Sequence, residues 1–182
     1  LHPNDPEAHY YLGLVALSRG DLDGALAELR QALVQKGGPF PEAHFDLGKI
    51  LYEKGEYAAA ANEFHTALEQ QGDFPEAQYW LARARIAQGD VEGAIALLKS
   101  VCAAHPTSFP DAHYELGLLY SRQGMLDAAV EQFACAIKAS RGVFPEAYYQ
   151  KGRVHARRGE VALAIEAFKT AIAQRQGVFA EA

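Results

Sequence analysis

Seven histidines and two cysteines are the residues of this 182-residue chain best suited to chemistry. Histidine can carry protons or hold a metal, and a thiolate can attack or ligate. Their placement argues against both uses. Cys102 and Cys135 stand far apart in sequence, in neither a metal-binding nor a redox spacing, and read as two reduced thiols within helices. His9, His44 and His113 hold the same place in separate copies of a repeat. Stacked copies set them roughly 10 Å or more apart at ordinary helix-packing distances, too far for one ion. His155, with Glu160 and Lys151 nearby in sequence, makes no established acid–base arrangement. No Ser/His/Asp or Cys/His set and no phosphate-cradling glycine loop is present. The expectation is a non-catalytic chain with no cofactor and no metal.

The elements that carry these residues are repeated. NDPEAHYYLG at 4–13 returns as PFPEAHFDLG at 39–48, DFPEAQYWLA at 73–82, SFPDAHYELG at 108–117 and VFPEAYYQKG at 143–152. The prolines Pro6, Pro41, Pro75, Pro110 and Pro145 follow one another at gaps of 35, 34, 35 and 35 residues. The expected organisation is a single array over 1–182, with repeats at 6–40, 41–74, 75–109, 110–144 and 145–179. Partial repeats at 1–5 and 180–182 suggest a fragment of a longer chain, because Leu1 opens it and VFAEA begins a sixth unit at Ala180.

Each unit reads as two helices around a short break. The first starts at the proline and carries apolar or small residues at helical spacing, such as His9, Leu12, Gly13 and Ala16. The break is a glycine followed by an acid at Gly20-Asp21, Gly55-Glu56, Gly89-Asp90 and Gly159-Glu160, whereas Gly124 is followed by Met125. Glycine suits the left-handed position after a helix, and the acid suits the next helix's N-terminus. Small residues at Gly13, Gly48, Ala82, Gly117 and Gly152 face a place filled by Leu29, Phe64, Leu98, Phe133 and Phe168. One such pair cannot bury its apolar side alone, so copies must stack into a continuous core.

This pattern resembles the tetratricopeptide repeat (TPR) family, whose signature runs through an aromatic, Leu-Gly, a second aromatic, Ala, a third aromatic and a closing Pro. The fourth unit shows it at His113, Leu116-Gly117, Tyr120, Ala129, Phe133 and Ala136. Departures are the His or Gln at the first aromatic place (Tyr148 excepted), Lys151 in place of Leu, and closing prolines at Pro3 and Pro106 alone. The resemblance implies an all-α, right-handed α-solenoid that binds a protein or peptide in a groove lined by the first helices. The period also invites comparison with pentatricopeptide repeats, which read single-stranded RNA. A formal charge of −6 disfavours that and any nucleic-acid partner.

Places that stay constant between copies read as packing, and places that vary on one face read as binding surface. The groove side that the resemblance assigns carries Tyr11, Leu14, Lys49, Tyr52, Trp80, Arg83, Leu118, Arg122, Arg153 and Arg157 as the candidate partner-binding residues. Aromatics and arginine are enriched at interaction hot spots. Asp46, Glu115 and Gln150 share their face. The carboxylate clamp of chaperone-binding TPR modules is not expected, because the matching places hold Tyr10, Leu14, Asp46, Glu76 and Trp80. Charge is uneven: 41–74 carries seven acids and two bases, and 145–182 six bases and four acids, with Lys151, Arg153, Arg157 and Arg158 close together. A basic last segment could meet an acidic partner or the acidic part of another copy, giving self-association. A third reading makes the array the substrate-recruiting region of a larger enzyme.

A phenylalanine precedes the helix-opening proline at Phe40, Phe74, Phe109, Phe144 and Phe179, with an aromatic five residues on at Phe45, Tyr79, Tyr114 and Tyr149. If the proline is the N-cap, the two rings form a hydrophobic staple. If the proline is the first helical residue, the ring packs against the preceding helix instead. Nothing in the chain reads as a membrane span or a signal peptide. A soluble, cytoplasmic placement with no direct membrane insertion is expected, and the Ala- and Arg-leaning composition hints at a bacterial source.

Overall fold

The computed structural model describes residues 5–176, so Pro3, Phe179, Ala180 and most of the two partial repeats lie outside the described residues. Proline at the first helical position and glycine after the last divide the chain into helices where the repeats require them. They fall into two compact units, Leu1–Ala94 and Ile95–Ala182. The first holds α1 (Pro6–Ser18), α2 (Leu22–Lys36), α3 (Pro41–Glu53), α4 (Tyr57–Gln70), α5 (Pro75–Gln88) and the start of α6 (Val91–Ala104). The second holds the rest of α6, then α7 (Pro110–Arg122), α8 (Leu126–Ala139), α9 (Pro145–Arg157) and α10 (Val161–Arg175). Within the first unit α1 pairs with α2 and α3 with α4, and α5 packs on α4. Within the second α7 pairs with α8, α9 with α10, and α8 packs on α9. The fold class is all-α, built of stacked helix–turn–helix repeats.

The glycine turns form as expected, each with φ between +75° and +84°. The acid that follows caps the next helix only where it is aspartate. Asp21 accepts from the Gly24 N–H and Asp90 from the Gly93 N–H, both at 2.9 Å. Glu56 and Glu160 make no side-chain cap, and Glu160 turns instead to His155 and Arg158.

The first helices settle the register of the phenylalanines. Pro41, Pro75, Pro110 and Pro145 open their helices, and Phe40, Phe74, Phe109 and Phe144 are N-caps without a side-chain hydrogen bond. The ring packs backwards. Phe40 lies 5.0 Å from Tyr10 on α1, Phe74 4.9 Å from Phe45 on α3 and Phe144 5.1 Å from Tyr114 on α7, each on the first helix of the hairpin before. The N–H of Phe40 is donated to Gln70 Oε1 at 2.7 Å, and that of Phe144 to Gln174 Oε1 at 3.1 Å. A glutamine from the second helix of the hairpin that the phenylalanine opens thus satisfies the backbone that the apolar cap leaves open.

Inside each hairpin a small residue admits a large one. A Cβ on Gly48 would lie 2.6 Å from Phe64 Cε1, on Gly117 2.7 Å from Phe133 Cε1, and on Gly152 2.8 Å from Phe168 Cε1. Opposite the smaller Leu29, a Cβ on Gly13 would meet Leu29 Cγ at 3.0 Å. Leu12, expected on the packing side, is instead 53% exposed, whereas Leu47 and Leu81 at the same place are buried. No described helix precedes α1 to cover it.

This steric complementarity predicts an energetic coupling. Gly48→Ala is expected to destabilise the chain by about 1–3 kcal/mol through overpacking against Phe64. Gly48→Ala with Phe64→Leu is expected to lose less than the sum of the two single changes, since the third repeat itself carries Ala82 and Leu98 at these places. Urea denaturation of both singles and the double measures the coupling; strict additivity refutes it.

Candidate functional site

On the first unit, α3 and α5 bring three of the sequence candidates together. The Arg83 guanidinium lies 4.5 Å from the Trp80 ring centroid, 5.1 Å from Tyr52 and 5.9 Å from Tyr79. Tyr52 meets Trp80 edge-on at 5.3 Å and Tyr57 at 5.1 Å. Trp80 also rests 6.2 Å from the buried Phe64, so it is partly a packing residue and stays half-buried. A cation over aromatic faces gains roughly 0.5–2 kcal/mol, more as water is excluded. Arg83 has no ion-pair partner among the described residues, so the rings hold its charge in place without neutralising it.

The other first-unit candidates stand apart from this cluster. Lys49 is committed within the protein, 3.3 Å from Asp46 and over the Phe45 ring at 5.3 Å. Asp46, expected on the groove side, is only 8% exposed and accepts the Tyr10 hydroxyl at 2.9 Å. Burial, reinforced by Asp46, holds the Tyr10 phenol above its ordinary range. Tyr11 is 64% exposed and Leu14 half-buried.

On the second unit all four candidates line one cleft. Leu118 and Arg122 come from α7, Arg153 and Arg157 from α9, and Ser121 and Gln150 complete a volume of about 280 Å³. Arg157 donates to the Ser121 carbonyl at 2.8 Å and to its Oγ at 3.1 Å, and Arg153 to Gln150 Oε1 at 3.1 Å. Nothing in the sequence marks Ser121 except its position beside Arg122. The sequence cluster of four cations does not form one patch. Arg158 is paired with Asp127 and Glu160 at 2.9 Å each, and Lys151 borders a separate hollow beside Tyr148 and His155.

Four of the histidines hold polar partners. Nδ1 of His9 meets Glu28 at 2.7 Å, that of His44 meets Glu63 at 2.7 Å and that of His113 meets Gln132 at 2.8 Å, each joining the two helices of its repeat. His155 is buried with Nδ1 2.6 Å from Glu160. Among the described residues no group of three potential ligands could hold a metal ion. A hollow of about 600 Å³ is lined by Tyr149, Phe168, Ala171, Ile172 and Arg175, with Tyr149 at the repeat place that Tyr114 holds one unit earlier.

The tetratricopeptide repeat family model matches residues 1–44, 45–109 and 110–178. No curated protein matches the sequence. Among solved structures, the chain is similar to a crystal structure of MamA at 27% identity and a TM-score of 0.81, over 91% of this chain and 95% of that one. A MamA fragment from Desulfovibrio magneticus RS-1 superposes with a TM-score of 0.84 at 22% identity, covering 94% and 96%. YrrB, a TPR protein described as having an unusual peptide-binding site, matches at 22% identity and a TM-score of 0.75, covering 96% and 89%.

The thiols supply a test of the packing around these helices. Burial, with Cys135 adding to it, pushes the Cys102 thiol up to about 11, whereas Cys135 is only half-buried. Cys102 therefore keeps its proton at pH 8–9, where an unfolded cysteine already ionises. Iodoacetamide at pH 8.5 is expected to label Cys135 in the native chain and Cys102 only after denaturation. Peptide mass mapping reads the outcome; equal labelling at both sites contradicts the burial argument.

Proposed function

Since the chain belongs to the tetratricopeptide repeat family, we propose that it is a non-catalytic scaffold that holds a protein segment on the exposed faces of its first helices. The observation that carries this reading is the Tyr52–Trp80–Arg83 cluster, where an unneutralised guanidinium is oriented by aromatic rings. Such a group offers apolar area and directed hydrogen bonds together, at little entropic cost because the rings already restrain it. The peptide-binding site named for YrrB supports the same class of ligand. The net charge of −6 disfavours nucleic acid. No helix among the described residues is long and apolar enough to cross a membrane.

Trp80 is the sole tryptophan, so its emission reports on the cluster directly. Peptides selected from a displayed library against the purified chain are expected to change Trp80 fluorescence on titration. Trp80→Ala with Arg83→Glu is expected to weaken their binding at least tenfold while circular dichroism stays unchanged. Peptides that bind with no change in emission and tolerate the double variant would place recognition elsewhere.

Self-association is a second reading, favoured by α10. Val161, Ile165 and Ile172 are exposed and fall with Phe168 on one stripe of that helix. Light scattering across a concentration series is expected to show mass growth that salt does not suppress and Ile165→Glu does. Growth that salt abolishes would assign it to charge, and a monomer at every concentration removes the reading.

A further inference from the structure

In the second unit, three arginines converge on one cleft, and no carboxylate stands among the described residues that line it. Lys49, Arg85, Arg158 and Arg175 elsewhere in the chain each have a carboxylate within 3.4 Å. Arg122, Arg153 and Arg157 have none among the described residues, and no carboxylate lines their cleft. Guanidinium is always charged and presents five donors in a fixed plane. The bracing of Arg157 by Ser121 and of Arg153 by Gln150 engages one terminal nitrogen of each, leaving the remaining donors for a ligand. It also restrains both side chains before binding, which lowers the entropic cost of binding.

Size and spacing narrow the ligand. At about 280 Å³ the cleft lies just below the ~300–1,000 Å³ of small-molecule sites and suits side chains. Arg153 and Arg157 are one turn apart on α9, which sets their Cβ atoms about 5–6 Å from each other. Arg122 adds a third charge from α7. Cations distributed over two helices match several charges along a chain better than one compact anion. Leu118 offers an apolar wall for the methylenes of an acidic side chain.

We infer that this cleft takes an acidic stretch of a partner polypeptide, in which neighbouring carboxylates meet Arg122, Arg153 and Arg157. This deepens the scaffold reading and rests on it, yet uses residues on a different unit from the Trp80 cluster. A phosphorylated side chain presents the same anionic oxygens, so the test separates the two sources.

A fluorescein-labelled octapeptide with three consecutive glutamates, its glutamine counterpart and its phosphoserine counterpart are titrated with the full chain and followed by anisotropy. The glutamate peptide is expected to bind at least ~10-fold tighter than the glutamine peptide, a preference that fades as salt screens the charges. Arg153→Gln with Arg157→Gln should remove that preference, as should Arg122→Gln in part, with helicity unchanged. Trp80→Ala should leave it intact. Equal binding of the glutamate and glutamine peptides, binding of the phosphoserine peptide alone, or an undiminished preference in the double arginine variant overturns the inference. Loss of the preference in Trp80→Ala overturns it too, because the site would then lie on the first unit. Failure of the library peptides to engage Trp80, with the glutamate preference kept, overturns the aromatic reading alone.

Discussion

A phenylalanine ring seated on an aromatic of the preceding hairpin's first helix is the contact on which the rest of the structure depends. Phe40 on Tyr10, Phe74 on Phe45 and Phe144 on Tyr114 place the start of each following helix before any other side chain is considered. The ring stands where a helix usually carries a polar cap, and proline makes this tolerable because it has no N–H to satisfy. The glutamines on the second helices supply the missing acceptor for the phenylalanine's own N–H. Packing and hydrogen bonding are thus divided between two residues thirty positions apart in sequence.

Within a repeat the hairpin is closed by a different device. Gly48, Gly117 and Gly152 let a phenylalanine ring lie against the helix backbone, and histidines at His9, His44 and His113 tie the first helix to a polar group on the second. These ties recur at the same place in three of the copies. The opposite face of each first helix is only partly committed to packing, as the buried Asp46 and the half-buried Trp80 show. On that face sit the groups that differ from copy to copy, the stacked Arg83 on one unit and the arginine cleft on the other.

Much of the fold was legible because proline and glycine each act through one local mechanism. Pro145 opens α9 and Gly159 ends it whatever surrounds them. The register of Phe144 was not legible, since staple and backward packing place the same residues at the same spacing. The acids after the glycines were half legible: Asp21 and Asp90 are short enough to reach back to the helix N–H groups, and Glu56 and Glu160 make no such bond. Among the candidate site residues, the sequence grouped Lys49 with the others although Asp46 and the Phe45 ring already hold it.

By itself the sequence determined the repeat, the helix boundaries, the family and the residues that vary between copies, because periodicity and turn chemistry are local properties. Only the tertiary structure decided which charges are free. Arg157 and Arg158 are neighbours in sequence, but about 100° separates them around a helix. One consequently reaches Ser121 in the cleft, and the other is neutralised by Asp127 and Glu160. Whether a cation is available to a partner depends on what the facing helices bring to it, and that is set by packing between repeats.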